Sequence, residues 1–540
     1  MIKILKFKNS LNINKFYRFY SSGGTAQSTQ SFLLNKQQNV NSKLSFKTLE
    51  NNGILPLSLS TIAIDSDNYS LYDNEHKAIL IKSIKNGCNV IKSTNESKLL
   101  QNVLSDLLDN NEIKRSELVY IKKSKPLKTS LPPNFTDSSV LLEPLSVSSI
   151  DLQIKKAFQD ISLETIDIFI LDLNNIMKIV KQQEGNVNIY KILQDEIFPH
   201  LQSLVSKGKI QSYGISSNDF SDSDGTGLSA EKLVEIKNNN NLSHFLFIEY
   251  PFNLYQNQAI VNKIYKSKTT SEPLNLYEYL KENQISTINN SPNSFIESIN
   301  NSICRFEMVP NHSDQDIQTQ LKEAFNIAIH LESNNPIFKD SVLQQTLLQD
   351  KSLIGSLQWA HNLVYESGRN KVLSNLWLWK PILSTKIHPT VTEAILSVFG
   401  NHVVNTWGGN YRKAIEQLFS IYTKSLELQT YQQQSDMNML FNSLLNNNEF
   451  KQFSNDPNHQ KLSMLQKSTL LSSIGSDILL ESPTSTNNLK SIQSDIQINN
   501  NPNDKNSILP IFINLSKHLI KLINEKNTNI NLNENKIIEN

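Results

Sequence analysis

The chain has 540 residues, 38% hydrophobic and 19% charged, which is enough for a large core and for two to four domains. Lysine plus arginine (52) nearly balances aspartate plus glutamate (51), so the net charge of +1 argues against a dedicated nucleic-acid binder. Two cysteines exclude a disulfide scaffold and a Cys-rich zinc module, and no apolar run is long enough to span a membrane. The first segment is read as an address. No acidic residue precedes Glu50, while Lys3, Lys6, Lys8, Lys15, Arg18, Lys36, Lys43 and Lys47 all do. Taking those eight charges away from the total leaves the rest of the chain at −7. Bases that interrupt Ile4, Phe7, Leu11 and Phe16, followed by serines, have the composition of a mitochondrial transit peptide. Residues 1–25 are assigned to it, with cleavage near Tyr20 to Gly24, and the expected location is the mitochondrial matrix. Residues 26–55 are expected to be a disordered linker.

From Ser60 the pattern becomes regular. STIAI (60–64), CNVI (88–91), ELVYI (117–121), IFIL (168–171), IQSYGI (210–215), HFLFIEY (244–250) and ISTI (285–288) read as seven strands. Helical patterns separate them over His76–Asn86, Asn95–Asn110, Ile150–Leu163, Tyr190–Lys207, Ala230–Lys237 and Leu276–Asn283. Gly87 and Gly208 stand where helices stop. Continuous apolar strands between amphipathic helices imply a parallel sheet covered on both faces, and this many units suits a (β/α)8 TIM barrel. The site is then expected at the C-terminal ends of the strands.

Residues 306–458 break the alternation. They hold all four tryptophans, Trp359, Trp377, Trp379 and Trp407, on helical patterns, and 425–460 reads as a mobile Gln/Asn-rich stretch. DILL (477–480) then supplies an eighth strand signal. The expected architecture is an α/β barrel with strands 1–7 in 56–305 and a helical insertion between strands 7 and 8. Strand 8 and its loop fall in 459–500, and a C-terminal helix and tail in 501–540. The alternative is a separate helical domain after an incomplete barrel, which would leave open strand edges. The insertion's aromatic stripes read as core, with a protein-partner surface as the alternative. His361, His388 and His402 lack metal-ligand spacing, and no metal is expected.

Several segments resemble the aldo/keto reductase superfamily of NADP-dependent barrel enzymes. They are GCNVIKSTNESKLLQNVL (87–104), ELVYIKK (117–123), IKKAFQDISLETIDIFIL (154–171), GKIQSYGISSNDF (208–220), FIEYPFN (247–253), ISTINNSP (285–292) and the stretch 461–492. The resemblance implies hydride transfer from NADPH or NADH to a small carbonyl substrate. A tyrosine would donate the proton, a lysine and an aspartate would tune it, and a histidine would orient the carbonyl. Lys123 stands at the lysine, with Lys122 one residue away. Lys92 stands at the aspartate and Asp172 at the histidine, and no tyrosine lies in Ser93–Lys98. Ser216, Ser217 and Asn218 match the motif that holds the nicotinamide carboxamide. Ser482, Thr484, Ser485 and Asn487 form the phosphate loop, which lacks a basic residue. Three readings of Lys92, Lys123 and Asp172 stay open: an anion site, a lysine whose pKa falls by like-charge repulsion, or solvated strand ends. Tyr69 and Tyr72 are candidate replacement proton donors, and Glu249 with Asp172 a candidate carboxylate pair. The function classes are an altered carbonyl oxidoreductase and, as the alternative, a catalytically inactive mitochondrial binding or scaffold barrel.

Overall fold

The computed structural model describes residues 23–39, 45–49, 53–95, 97–127, 138–161, 163–182, 188–220, 227–297, 302–307, 309–312, 316–336, 355–366, 370–399, 407–445, 463–493, 509, 512–518 and 520–521. The eight apolar runs form eight strands: β1 (Ile62–Asp65), β2 (Val90–Ser93), β3 (Val119–Lys123), β4 (Ile166–Asp172), β5 (Ile210–Ser216), β6 (Phe245–Tyr250), β7 (Ser286–Asn289) and β8 (Ile478–Glu481). All pair in parallel, and the sheet closes on itself. β8 seals it, with Ile478 opposite Ile288 of β7 and Leu480 opposite Ala63 of β1. Closure removes the strand edges that an incomplete barrel would expose.

The pleat divides each strand between two cores. Ile168 and Ile170 of β4 join Ala63, Val119, Ile121, Phe247 and Leu480 in the interior cluster, whereas Phe169 and Leu171 join the cluster shared with the outer helices. Helix Lys98–Asp109 shows how the outer layer is built. Ser97 accepts a hydrogen bond from the Leu100 N–H, and Leu99, Leu100, Val103, Leu104 and Leu107 bury one stripe. The antiparallel pair Phe46–Thr48 and Ser58–Ser60 closes the floor, where Leu49, Leu55, Leu57 and Leu59 plug the interior. Gly214 lets β5 approach β6, since a Cβ there would lie 2.3 Å from the Phe247 carbonyl oxygen.

Two expectations are corrected here. The stretch assigned to a linker holds helix Ala26–Asn39 and strand Phe46–Thr48. Thr29, Phe32 and Leu33 are buried, so two apolar side chains and a threonine suffice to dock a helix whose sequence shows almost no amphipathic signal. The stretch expected to be mobile from 425 belongs, as far as 445, to the long helix Trp407–Leu445. That helix is anchored by Tyr411, Ile415, Leu418, Phe419 and Leu426. Residues 446–460 lie outside the described residues, as do 1–22.

Between β7 and β8 the chain forms an antiparallel pair, Ser294–Glu297 with Ser302–Arg305. Helices Ile317–Ser333, Trp359–Glu366, Leu376–Ile382, His388–Phe399 and Trp407–Leu445 follow. They share an apolar core of their own, with Trp379 at its centre. Helix Met464–Ser472 leads back into β8. Within the C-terminal stretch, residues 512–518 are helical, and Phe512 packs on Phe252 with ring centroids 5.0 Å apart. No helix among the described residues is long and apolar enough to cross a membrane.

Candidate functional site

The C-terminal strand ends bring six polar side chains to the barrel mouth: Asp65, Lys92, Lys123, Asp172, Ser216 and Glu249. All but Asp65 are buried, which an ionisable group tolerates only with partners. The strands run two residues beyond the apolar runs of β2 and β3 because those partners exist. The pleat separates the neighbouring lysines. Lys122 Nζ donates to the Thr94 carbonyl at 2.7 Å, while Lys123 turns to the carboxylates and is the lysine of the mouth.

Lys123 is fully engaged. Its Nζ lies 2.6 Å from Glu249 Oε1, 2.9 Å from Ser216 Oγ and 3.4 Å from Asp172 Oδ2. Ser216 Oγ in turn donates to Glu249 Oε1 at 2.9 Å, and Asn290 Nδ2 donates to the same oxygen at 3.1 Å. Burial raises the Glu249 pKa, but Lys123 and Lys92 outweigh it and the carboxyl is held below its ordinary value. Glu249 Oε2 is buried and makes no hydrogen bond. Asp172 and Glu249 are thus a carboxylate pair, bridged by one ammonium.

Lys92 forms a second cage, 2.8 Å from Asp65 Oδ2 and 2.7 Å from Asp67 Oδ2. Asp67 Oδ1 also accepts from the N–H groups of Thr94 and Asn95, at 2.5 and 3.2 Å. Burial pushes Asp65 up, Lys92 opposes and Asp67 adds, leaving it at about 6. For Lys92 burial acts downward, but the two aspartates prevail and its pKa rises above the ordinary lysine value. At Lys92 this goes against the reading of a lysine lowered by like-charge repulsion. Each lysine has its own carboxylates, so no neutral amine is poised for a Schiff base at Lys92. Asp65 and Asp67, which sequence reasoning missed, sit at and just past the end of β1.

The candidate proton donors lie elsewhere. Tyr69 is buried and donates to the Pro483 carbonyl at 3.0 Å; burial, with Glu307 nearby, raises its pKa well above 10. Tyr72 is half exposed and stacks 6.3 Å from His388. Tyr120 shares a hydrogen bond of 2.6 Å with Ser93. None of the hydrogen-bond partners of Lys123 is a tyrosine.

The nucleotide-loop candidates are also spread out. Ser216 belongs to the Lys123 cage, Ser217 Oγ accepts from the Asp219 N–H at 3.3 Å, and Asn218 is exposed. After β8, Ser482 Oγ donates to the Asp65 carbonyl at 2.8 Å, Ser485 caps helix Thr486–Gln493 through the Asn488 N–H at 3.2 Å, and Asn487 is exposed. The convergent donors of this loop already hold an anion, the side chain of Glu307. Its Oε1 accepts from the Thr484 N–H, from Thr484 Oγ1 at 2.8 Å and from Asn488 Nδ2 at 2.7 Å, and Arg305 lies 3.2 Å from its other oxygen. Glu307 is buried. It stands in an irregular stretch after the Ser302–Arg305 strand, where no periodicity could have flagged it.

A cleft of about 160 Å³ opens beside the mouth, between loops of the barrel and helices of the β7–β8 segment. Tyr72, His76, Arg305, Trp377, Lys380 and His388 line it, and Lys92, Lys123 and Asp172 do not. Among the described residues no His, Cys, Asp and Glu group could hold a metal ion.

The fold and site define a closed (β/α)8 barrel with two caged lysines at its mouth and a helical unit beside it. No family model matches the chain, and no curated protein does. Among solved structures it is similar to an aldo-keto reductase from Bacillus halodurans in its holo form. The identity is 14% over 52% of this chain and 77% of that one, with a TM-score of 0.30. It is also similar to the aldose reductase of Schistosoma japonicum, at 14% identity over 46% of this chain and 69% of that one, with a TM-score of 0.29. Both belong to the family that the sequence segments resemble. The barrel itself rests on the strand pairing above, and no residue role is transferred from these likenesses.

Proposed function

We propose that this protein is a mitochondrial barrel of aldo-keto reductase type that does not reduce carbonyls and serves as a binding or scaffold protein. The observation that carries this reading is Glu307. A dinucleotide phosphate would need the donors of Thr484 and Asn488, and a buried carboxylate of the chain already takes them. Hydrogen bonds to a charged group contribute about 1.5–3 kcal/mol each, so displacing Glu307 costs several kcal/mol before any phosphate contact is made. The residues after β8 therefore do not fit a dinucleotide in this arrangement. Lys123, in turn, spends its donors on Glu249, Ser216 and Asp172, and among the described residues no tyrosine hydroxyl bonds to it. The cleft lined by Trp377, His388 and Tyr72 offers a recess to a small ligand, and the helical unit is the surface assigned to a protein partner. The test is calorimetric titration of the full-length chain with NADPH and with NADH. The expected result is no binding at millimolar cofactor; micromolar binding overturns the reading.

A second reading is favoured by one feature, the lysine at the end of β3 paired with buried carboxylates. It makes the protein a nicotinamide-dependent oxidoreductase of carbonyl compounds with altered proton delivery. It requires turnover of a panel of aldehydes and ketones that Lys123→Met abolishes, and a full-length protein that turns over none of them is against it.

A further inference from the structure

The helical unit presents one wall to the barrel across the cleft of about 160 Å³. Trp377, Lys380, Ser384 and His388 line it at spacings of three and four residues, so they share one face of the helical run Leu376–Phe399. The middle of that run, Leu383–Ile387, is a single π-helical turn, a form that is frequent at functional sites. Its Ser384 carbonyl accepts from Ser70 Oγ, in the loop after β1, at 2.7 Å, which ties the two walls together. Arg305 completes the helical wall, with its guanidinium 5.4 Å from the centre of the Trp377 ring. Burial lowers the pKa of His76 and of His388 below 6.5, so the charges on the cleft at neutral pH are Arg305, Lys380 and Asp73. Asp73 is engaged as the cap of helix Asn74–Lys85, where it accepts from the Glu75 N–H at 2.9 Å. The two cations keep spare donors among the described residues. Arg305 meets the Ser482 carbonyl at 2.9 Å and Glu307 at 3.2 Å, both through Nη2, and its Nε makes no hydrogen bond. Lys380 Nζ meets Glu427 Oε1 at 2.6 Å and has three protons to donate. The hydroxyls of Tyr69, Ser384, Thr423, Ser482 and Thr484 each donate to an oxygen of the protein, so they have no proton left for a ligand.

We propose that this cleft binds a small aromatic carboxylate, with the carboxylate on Arg305 and Lys380 and the ring among Tyr72, Trp377 and His388. The inference deepens the reading of the protein as a binding barrel and rests on it. Size sets the first limit. An apolar cavity of about 150 Å³ holds one benzene molecule, so the cleft takes a single ring with a short acidic arm and is too small for a dinucleotide. The lining sets the second. Tyr72 and His388 lie parallel to within 6°, and Tyr72 is half exposed, which leaves its ring able to settle against a flat ligand. Charge sets the third. Bonds from a guanidinium or an ammonium to a carboxylate are roughly twice as strong as neutral ones, so the acid is preferred to its amide. Glu307 and Glu427 keep their own contacts, because the ligand takes donors that they do not use.

The experiment is calorimetric titration of the full-length chain with benzoate, benzamide and acetate. Benzoate is expected to saturate in the submillimolar range, with benzamide roughly tenfold weaker and acetate weaker still. Lys380→Gln should weaken benzoate roughly tenfold and leave benzamide unchanged, and Glu427 keeps His312 at 2.7 Å in that variant. Tyr72→Ala tests the ring without touching the core, and should weaken both aromatic probes roughly threefold. Benzamide binding as tightly as benzoate overturns the proposal, and so does the absence of saturable benzoate binding at millimolar concentration. Benzoate affinity unchanged in both variants places the binding elsewhere and overturns the site as well. Micromolar NADPH binding overturns the reading on which the inference rests, whereas failure of benzoate alone overturns only the cleft assignment.

Discussion

The floor and the mouth of this barrel both bury charge, and they do it differently. At the floor, Asp167 divides four hydrogen bonds between its two oxygens, with Arg115 as its counter-ion. At the mouth, four carboxylates share two lysines. Glu249 keeps one oxygen without a hydrogen bond, and Asp65 is pushed to about 6 while its neighbour Asp67 is held below the ordinary range. The difference lies in crowding: at the floor Asp167 stands against one cation, Arg115, whose Nε is a buried atom without a hydrogen bond, whereas the mouth packs several carboxylates around two lysines. In this architecture the floor is the stabilising end and the mouth is the end where chemistry is placed. In this barrel the charges of the mouth face one another.

Breaking the comparison at the floor should have the largest effect. Asp167→Ala strands the Arg115 guanidinium and leaves the buried Gly24 N–H without its acceptor, and should cost about 3–5 kcal/mol in chemical denaturation. At the mouth, Lys123→Met leaves Glu249 and Asp172 without their ammonium and should cost a similar or somewhat smaller amount, because protonating one carboxyl relieves it. The pair Lys123→Met with Glu249→Gln should recover most of that loss. A double variant no better than the single one would show that Lys123 does more than neutralise Glu249.

Much of the barrel is legible in the sequence, because most strands carry a mainly apolar run and most of the barrel helices repeat at the helical period. The strand ends are not. CNVI reads as ending at Ile91, yet β2 continues through Lys92 and Ser93, since the counter-charges of Lys92 come from β1 and the loop after it, which no local pattern connects. Lys123, Asp172 and Ser216 stand at recognisable strand ends and do converge. Glu307 and Asp67 carry no such mark, because their roles depend on irregular segments brought in from elsewhere in the chain. Helix Ala26–Asn39 is hidden for the opposite reason: it is a regular element with too few apolar residues to announce itself.

The finest contrast runs along a single strand. β8 has Asp477 just before its floor end and Glu481 at its mouth end, both buried. Burial opposes ionisation of each, but Lys281 and Lys47 hold Asp477 below the ordinary carboxylate range. At the other end burial pushes Glu481 up to about 8, with Arg305 opposing and Glu307 adding. The two ends should therefore give stability opposite pH dependences. Asp477, depressed in the folded state, contributes stability above its unfolded value of 3.8 that is lost as the pH falls. Glu481, raised in the folded state, contributes stability that is complete below 4.5 and is lost as the pH rises through about 8. Glu481→Gln mimics the protonated form, so it should change stability little at pH 5 and raise it relative to the unaltered chain at pH 9. Denaturation midpoints at the two pH values measure this directly. An equal shift at both would mean that Glu481 is ionised throughout, and that the mouth of the barrel is as settled as its floor.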